Sequence, residues 1–306
     1  MLLPLSSAKH KLPNINMSNQ QESAPLGQDF TNTVIDSMGP NTDPRLRTVM
    51  TSLIQHLHDF AREVDLTVDE WMMGVNVINA AGKMTTDRRN EGVLLCDILG
   101  IESLCDDITY RAAAKAGVPA TSSAILGPFW REPLKRENGT TISFNTPADG
   151  QIAYMHGRVV DSETGKPLQN ATVDVWQAST NGLYEQQDPD QVDHNLRGLF
   201  TTDAEGKYGF YCLLPTPYPV PCDGPAGKLL KLFDRHNFRP AHIHLIVKAD
   251  GHNPLTTQIF DANSDYLKDD AVFAVKDGLA VHFVPRKDDP QAEWELEYNV
   301  KLATLA

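Results

Sequence analysis

Apolar residues from position 29 to about 115 recur at steps of three and four, which is the period of an α-helix. The stretch 39–42 (Gly-Pro-Asn-Thr) interrupts this pattern. After it, Thr42 or Asp43 is placed to cap a new helix, with Pro44 in the first turn where proline costs no hydrogen bond. The pattern therefore predicts a helical first third of the chain that is divided into several helices.

Capping residues predict two further helix starts. Thr67 stands three residues before Glu70, the spacing of a capping box. Another helix is predicted after Asp87 and ends at Gly100, which suits the left-handed conformation past a helix end. The apolar positions of these helices are Leu46, Val49, Met50, Leu53, Ile54, Leu57, Phe60, Trp71, Val75, Ile78, Val93, Leu94, Leu95, Ile98 and Leu99. We expect most of them in a core and part of their surface against a second subunit.

From about residue 150 the pattern changes to short alternating runs with turn residues between them, which is typical of β-strands. The predicted strands are 152–160, 171–177, 198–202, 206–213, 242–248, 256–260, 279–284 and 293–302. One short helix is predicted at 226–234. Strands in such a series, without helices alternating between them, indicate a β-sandwich rather than a parallel sheet.

The patterns together predict a mainly β chain with an α-helical N-terminal part. A length of 306 residues accommodates one large domain or two ordinary ones. We expect a flexible tail at 1–28, a helical domain at 29–135 and an antiparallel β-sandwich domain at 136–306.

Composition excludes several classes of protein. A net charge of −13 argues against nucleic-acid binding, which needs a basic face. The chain has no run of eighteen apolar residues, so no membrane span is predicted. Four cysteines without zinc-ligand spacing are expected to be reduced thiols, namely Cys96, Cys105, Cys212 and Cys222. Residues 1–21 lack the pattern of a transit peptide or secretion signal, so we expect a cytoplasmic protein.

Two histidines flank a single apolar residue in one predicted strand. His242 and His244 lie two positions apart, so their side chains point to the same face of the strand. Two imidazoles fixed in this way can bind a metal ion. Two histidines on a solvated sheet face are the alternative, and the motif alone leaves both open.

Two tyrosines stand in irregular segments with restricted backbones. Tyr184 follows the glycine break at 181–183, and Tyr218 lies among the prolines of 214–221. Phenolate oxygen is a hard anionic donor that suits Fe(III), and a ferric ion can hold tyrosine ionised although its ordinary pKa is near 10. Either tyrosine alone is ordinary packing, but both together near the histidines would make a ferric site.

Several short motifs carry a resemblance to a known family. They are Val175-Trp176-Gln177, Gly182-Leu183-Tyr184, Leu196-Arg197-Gly198, Pro215-Thr216-Pro217-Tyr218-Pro219, Arg235-His236 and Arg239-Pro240-Ala241-His242-Ile243-His244. With these motifs the chain resembles the intradiol ring-cleaving dioxygenases, and among them the fungal catechol and hydroxyquinol 1,2-dioxygenases. The resemblance extends over residues 29 to about 300 and includes Trp71, 88–92 and Asp97 in the helical part.

The resemblance implies one non-haem Fe(III) per chain in the β-sandwich, which would be the catalytic domain. Its four ligands would be Tyr184, Tyr218, His242 and His244. Tyr218 and His244 would be axial, and Tyr184 and His242 equatorial.

The resemblance also implies roles in the reaction. Tyr218 would leave the metal and take one proton from the incoming diol. Arg239 would stabilise negative charge that develops on the ring, and Gln258 would support the site from the next strand. The implied activity is 1,2-cleavage of catechol or hydroxyquinol by O2, which yields a muconate-type diacid or maleylacetate.

The ring pocket of the family maps onto seven positions of this chain. They are Leu94, Asp97, Ile125, Gly127, Pro128, Phe129 and Val220. Asp97 could accept a hydrogen bond from a third hydroxyl, which would favour hydroxyquinol, or it could pair with Arg88 or Arg89. No additional basic residue is evident for a carboxylate, which argues against a protocatechuate-type dioxygenase.

By the same resemblance, the helical domain would form a homodimer, with phospholipid in an apolar tunnel between the subunits. Two other interpretations compete with the enzyme. One is a non-catalytic β-sandwich binding module. The other is a zinc hydrolase, which would need a further ligand beside the His-x-His pair. The candidates for that ligand have no diagnostic spacing: His156, His194, His236, His252 and His282.

Overall fold

A computed structural model describes residues 26–115 and 120–305, so the predicted flexible tail at 1–28 lies largely outside the described residues. The chain forms two compact units that divide between Met73 and Gly74. The division falls inside a helix.

The first unit is helical. It contains α1 (Gln28–Asp36), α2 (Pro44–Glu63) and the beginning of α3 (Val68–Met84). The predicted caps are confirmed: the Asp43 side chain accepts the Leu46 N–H at 2.9 Å, and Glu70 accepts the Thr67 N–H at 2.9 Å. The first turns of α2 and α3 therefore begin where the sequence pattern placed them.

The prediction of a core for the apolar positions of α2 is wrong within the single chain. None of the twenty residues of α2 is buried. Five of its apolar side chains are exposed, namely Leu46, Val49, Leu53, Leu57 and Phe60. The partner of α2 in this unit is the nine-residue α1, which is too short to cover the whole apolar face of α2.

The second unit contains the remaining helices, α4 (Glu91–Ile98), α5 (Ile101–Lys115) and α6 (Pro225–Leu232). The start of α4 differs from the predicted Asp87, because the Asn90 side chain accepts the Val93 N–H at 3.0 Å and so caps the helix later. Gly100 has φ +72°, as expected for a helix end. Among the described residues, no helix is long and apolar enough to cross a membrane.

Twelve strands follow in the same unit. They are β1 (Ile152–Asp161), β2 (Thr172–Trp176), β3 (Arg197–Thr201), β4 (Lys207–Leu213), β5 (Tyr218–Pro219), β6 (Phe238–Arg239), β7 (His242–Lys248), β8 (Leu255–Asp261), β9 (Ala280–Val281), β10 (Val284–Pro285), β11 (Trp294–Glu297) and β12 (Val300–Leu302). One sheet has the order β10-β11-β1-β12, with β4 also paired to β1. The other has the order β3-β2-β7-β8-β9. A small ribbon joins β5 to β6.

The two larger sheets share one apolar core, so the predicted sandwich is confirmed. Two details differ from the prediction. The predicted strands 279–284 and 293–302 each divide into two short strands. The pairings of β1 with β11, β1 with β12 and β8 with β9 are parallel, so the sandwich is mixed rather than purely antiparallel.

The central strand β7 separates two different environments. Ile243, Leu245 and Val247 point into the core between the sheets. His242, His244 and Ile246 alternate with them and therefore lie on the opposite face of the sheet. Loops and α4 cover that face: Leu94 and Ile98 of α4 belong to an apolar cluster with Phe260 of β8. The two candidate metal-binding histidines lie on this covered outer face.

Candidate metal centre

Four potential metal donors meet on the outer face of β7. The Tyr184 hydroxyl lies 3.1 Å from the Tyr218 hydroxyl and 3.0 Å from Nε2 of His244. Nε2 of His244 lies 3.1 Å from Nε2 of His242. All four side chains are buried. Residues from three separate segments therefore place two oxygens and two nitrogens around one point.

Regular sheet pairing orients the two histidines. His244 is the register partner of Trp176 on β2 and of Gln258 on β8. The Trp176 ring stacks on the His244 ring with a centroid distance of 4.6 Å and an interplanar angle of 11°. Strand alternation accounts for the shared face, and the tryptophan fixes the plane of one imidazole.

A glycine allows the two tyrosine loops to approach each other. Gly182 has φ +78°, and a Cβ atom at this position would lie 3.0 Å from Cβ of Tyr218. Tyr218 itself is in β5, where it pairs with Arg239 of β6. The glycine break and the short ribbon together bring Tyr184, Tyr218 and Arg239 to the same place.

Hydrogen bonding selects the tautomer of one histidine. Nδ1 of His242 lies 2.7 Å from the Pro240 carbonyl oxygen, so Nδ1 carries the proton and Nε2 offers its lone pair to the cluster. Nδ1 of His244 is buried without a hydrogen-bond partner in the described part of the chain. Nε2 of His244 therefore lies between the Tyr184 hydroxyl and Nε2 of His242.

Burial keeps the four donors neutral. It raises the pKa of Tyr184 well above 10 and raises that of Tyr218, where the nearby Arg239 charge opposes the shift. Burial, with the positive charge of Arg239, lowers the pKa of His242 well below its usual range, and burial likewise lowers that of His244. Neutral imidazoles are ready ligands, whereas buried phenols ionise only beside a strong positive charge.

The donor set fits a metal ion of high charge. Neighbouring ligands with bonds of about 2.1 Å at right angles are separated by about 3 Å, which matches the 3.0–3.1 Å between these donors. Two phenol oxygens favour a hard trivalent ion, which supplies the charge that their ionisation needs. The residues present are therefore suited to Fe(III).

Arg239 lies beside the donors and is held by buried partners. Its Nη1 is 3.0 Å from Nε2 of His242, and its Nη2 donates to Oε1 of Gln258 at 2.7 Å. Gln258 in turn donates to the Ile125 carbonyl oxygen at 2.7 Å. Arg239 and Gln258, two of the three residues assigned catalytic roles from the sequence, therefore contact each other, and Gln258 joins them to the segment that contains the expected pocket residues Ile125, Gly127, Pro128 and Phe129.

Two of the expected pocket residues, Gly127 and Phe129, lie against the candidate metal ligands, and the others have different neighbours. Gly127 has φ +76°, and a Cβ atom there would lie 3.4 Å from Cε1 of His244. The Phe129 ring stacks on the Tyr184 ring at 4.7 Å. Leu94, Ile125 and Val220 share an apolar cluster. The Pro128 carbonyl oxygen accepts a hydrogen bond from the Asn90 N–H at 3.3 Å, at the start of α4.

Asp97 is a buried acid within this region. Burial and a hydrogen bond with Glu102 raise the pKa of Asp97 to about 10. Glu102 also accepts the Leu126 N–H at 2.8 Å. The possible pairing with Arg89 is not formed, because Arg89 bonds to Glu91 and Asp223. Asp97 is therefore held as a neutral carboxyl group near neutral pH.

Three of the five other histidines nominated as zinc ligands lie beside acidic side chains. His194 lies beside Asp193, His236 beside Asp269 and His252 beside Asp161. No group of three or more His, Cys, Asp or Glu side chains suited to a metal occurs in residues 26–115 and 120–305. A zinc hydrolase would need a third nitrogen or carboxylate ligand beside His242 and His244. The side chains that lie there are instead the two tyrosines, Tyr184 and Tyr218.

The sequence patterns did not predict a site role for two buried acids, Asp270 and Glu185. Asp270 forms an ion pair with Arg239 at 3.0 Å, and Glu185 forms one with Arg197 at 2.6 Å. The Arg197 guanidinium also lies over the Tyr184 ring, 5.9 Å from its centroid. Arg197 stands in a motif that carried the resemblance, whereas nothing local to the sequence around Asp270 signals its partner.

Family models match both parts of the chain. The model described as a dioxygenase matches residues 125–304. The model described as the N terminus of catechol dioxygenases matches residues 43–117.

Characterised relatives match over nearly the whole length. The chain is 49% identical over 276 residues to an intradiol ring-cleavage dioxygenase of Aspergillus niger, which covers 90% of this chain and 88% of the relative. It is 47% identical over 287 residues to a catechol 1,2-dioxygenase of Candida albicans, with 91% and 93% covered. It is 38% identical over 268 residues to a hydroxyquinol 1,2-dioxygenase of a Rhizobium species, with 87% and 88% covered.

Solved structures have the same fold. A hydroxyquinol 1,2-dioxygenase from Pseudomonas putida superimposes with a TM-score of 0.78 at 35% identity and covers 91% of this chain and 98% of its own. A catechol 1,2-dioxygenase from Acinetobacter radioresistens gives a TM-score of 0.81 at 28% identity, with 92% and 94% covered.

Proposed function

The chain belongs to the intradiol ring-cleaving dioxygenases, and we propose that it works through one ferric ion bound by Tyr184, Tyr218, His242 and His244. It is an oxidoreductase that opens catechol-type aromatic rings with O2 and incorporates both oxygen atoms. The observation that carries the metal assignment is the meeting of two phenol oxygens and two imidazole nitrogens at separations of 3.0–3.1 Å.

The contacts between the four donors form a continuous chain. The Tyr218 hydroxyl contacts the Tyr184 hydroxyl, Tyr184 contacts Nε2 of His244, and His244 contacts Nε2 of His242. These short separations support the proposal that one ion would be held by all four side chains.

When bound, the ferric ion would hold both diol oxygens and activate the ring toward O2. The residues around it manage protons and charge. As a phenolate, Tyr218 would take a proton at its oxygen from one hydroxyl of the diol, and its burial favours this step because burial raises the pKa of the phenol. Arg239 stabilises negative charge on the ring as a fixed cation. Gln258 holds the guanidinium on its other side.

We infer that hydroxyquinol is the preferred diol, with catechol a second substrate. The neutral Asp97 carboxyl can both donate a hydrogen bond to a third hydroxyl and accept one from it. Asp97 is buried, and the hydrogen bond that it shares with Glu102 uses only part of the bonding capacity of a carboxyl group. A third hydroxyl of the diol could use the remaining capacity, which catechol would leave unused.

Oxygen uptake with hydroxyquinol, catechol and protocatechuate tests this preference. We expect the order hydroxyquinol, catechol and then protocatechuate in kcat/KM, with ring-opened products from the first two. Asp97→Ala is expected to lower kcat/KM for hydroxyquinol about 10–100-fold and to change that for catechol much less. Preference for protocatechuate, or equal loss for both diols in the variant, would contradict the role of Asp97.

We also propose that residues 29–135 form a dimerisation domain and residues 136–306 the catalytic domain. The exposed apolar face of α2 is the surface that a second copy would cover. An apolar tunnel between two such helical parts would accept the acyl chains of phospholipid. Sedimentation of the wild type and Leu53→Glu tests the dimer, since a charge on this face should give monomers. Lipid extraction with mass spectrometry tests the ligand.

A further inference from the structure

The guanidinium of Arg239 is held on three sides by buried partners. Its Nε donates to Oδ1 of Asp270 at 3.0 Å, and its Nη2 donates to Oδ2 of Asp270 at 3.2 Å. Nη2 also donates to Oε1 of Gln258 at 2.7 Å. Nη1 lies 3.0 Å from Nε2 of His242. Arg239 and Asp270 are 2% and 4% exposed, so solvent does not compete for these bonds.

These bonds determine which nitrogen serves the reaction. Arginine has five N–H donors, one on Nε and two on each Nη. Asp270 and Gln258 occupy the single donor of Nε and both donors of Nη2. Nη1 is the nitrogen beside the four metal donors, and it keeps its two donors for that side. The guanidinium is therefore held through Nε and Nη2, and Nη1 faces the four metal donors.

Asp270 does not depend on Arg239 for its own position. Its Oδ1 accepts the Val272 N–H at 3.3 Å, and its Oδ2 accepts the Ala274 N–H at 3.1 Å. Val272 and Ala274 are buried in the apolar cluster that also contains Leu94 and Ile125. The backbone of a packed loop thus fixes the carboxylate, and the carboxylate fixes the arginine.

We propose that Asp270 is a positioning residue for ring cleavage, which aligns Nη1 of Arg239 with the negative charge that develops on the diol. This inference rests on the proposed role of Arg239. An arginine without this carboxylate would keep its charge but lose two charge-assisted bonds that define its plane. A displacement of about 1 Å of a catalytic group can cost about 100-fold in rate.

Asp270→Asn tests the proposal because it preserves size and removes the charge. In the iron-loaded protein we expect kcat/KM for the preferred diol to fall about 100-fold. The iron content and the tyrosinate-to-iron absorption band should stay as in the wild type, because Asp270 donates no ligand. Anaerobic titration of that band with diol, followed by mixing with O2, separates diol affinity from the oxygen reaction.

Asp161→Asn is the matched control, since Asp161 is a buried acid of the other sheet that pairs with His252. This variant should lose thermal stability without a change in kcat/KM per bound iron. A purely structural role for Asp270 would give the same result. Wild-type kinetics of Asp270→Asn per bound iron would therefore overturn the proposal.

A double-mutant cycle with Arg239→Ala separates this inference from the proposed function. If Asp270 acts through Arg239, Asp270→Asn should have little further effect in the Arg239→Ala background. An equal loss in both backgrounds would overturn the inference and leave the proposed function intact. Wild-type turnover of Arg239→Ala alone would instead refute the role of Arg239 in the proposed function.

Should Asp270→Asn fail to fold, Asp270→Glu provides the test. It keeps the negative charge that Arg239 needs, but its extra methylene displaces the guanidinium. We expect a stable protein with unchanged iron content and a loss of kcat/KM smaller than about 100-fold but measurable. Wild-type kinetics of this variant would contradict the positioning role.

Discussion

The two faces of the sheet that contains β7 are built from alternating residues of the same strands, yet they differ in the polarity of their buried side chains. The inner face carries Val173, Val175, Ile243, Leu245 and Val247, which pack only against apolar neighbours. The outer face carries Asp174, Trp176, His242 and His244, buried beneath loops and α4.

The difference shows how one strand serves both stability and function. On the inner face, burial of apolar side chains stabilises the fold, and these side chains need no hydrogen-bond partner. On the outer face, buried polar atoms stabilise nothing unless each has a partner, so the side chains depend on one another. Substitutions on the inner face should therefore affect folding, and substitutions of the candidate metal ligands and their neighbours on the outer face should affect metal binding and catalysis.

The largest expected effect is that of His242→Ala on the outer face. Loss of one of four ligands should remove the iron and abolish ring cleavage, while circular dichroism should still report a folded sandwich. Metal analysis and oxygen uptake check this result together. A variant that lacked iron and retained full activity would break the distinction between the two faces.

Arg239→Ala is expected to have the next largest effect. Removal of a preorganised charge from a buried site typically costs about 100–1000-fold in rate. The variant should still bind iron and diol but react slowly with O2. Stopped-flow mixing of the anaerobic diol complex with O2 measures this step, and an unchanged single-turnover rate would contradict the assigned role.

Leu245→Ala tests the inner face of the same strand. Leu245 is fully buried and lies directly between His244 and Ile246 in the chain. Its truncation should lower the free energy of unfolding by about 2–5 kcal/mol through lost burial and a residual cavity. Urea titration measures this change. The folded fraction should keep wild-type turnover per bound iron, and a loss of activity without a loss of stability would contradict the comparison.

The smallest expected effect concerns Asp174 on the outer face. Burial raises the pKa of Asp174 to about 6, against the Trp130 N–H that its carboxylate accepts at 2.9 Å. The folded state therefore binds this proton more tightly than the unfolded state, in which an aspartate pKa is about 3.9. The contribution of this tighter proton binding to the free energy of unfolding is fully present below about pH 4 and is lost as the pH rises through about 6.

Asp174→Asn should remove that pH dependence. The variant is expected to gain about 1–3 kcal/mol in the free energy of unfolding relative to wild type at pH 8, and little at pH 4. Urea titrations at the two pH values provide the measurement. A difference between variant and wild type that does not change with pH would show that ionisation of Asp174 carries no cost.

Much of this contrast is local in the sequence and could be predicted there. Alternation places His242 and His244 on one face, and their Nε2 atoms are indeed 3.1 Å apart. The caps at Asp43 and Thr67 and most strands follow from short patterns as well. Such features depend on residues a few positions apart, so a sequence window contains all the information.

Features that depend on distant partners could not be predicted in this way. Prolines conceal the two-residue strand that pairs Tyr218 with Arg239. Asp270 lies in a loop thirty-one positions from Arg239, and only the fold brings the two together. The prediction of a core for the apolar positions of α2 was wrong for another reason. Helical periodicity identifies an apolar face but not what covers it.

The central claim is that the outer face holds one ferric ion between two phenolates and two imidazoles. Metal analysis of the purified protein, together with its visible spectrum, tests this claim most directly. We expect about one iron per chain and a tyrosinate-to-iron charge-transfer band that weakens in Tyr184→Phe. An active, colourless protein, or one that contains zinc instead of iron, would contradict it.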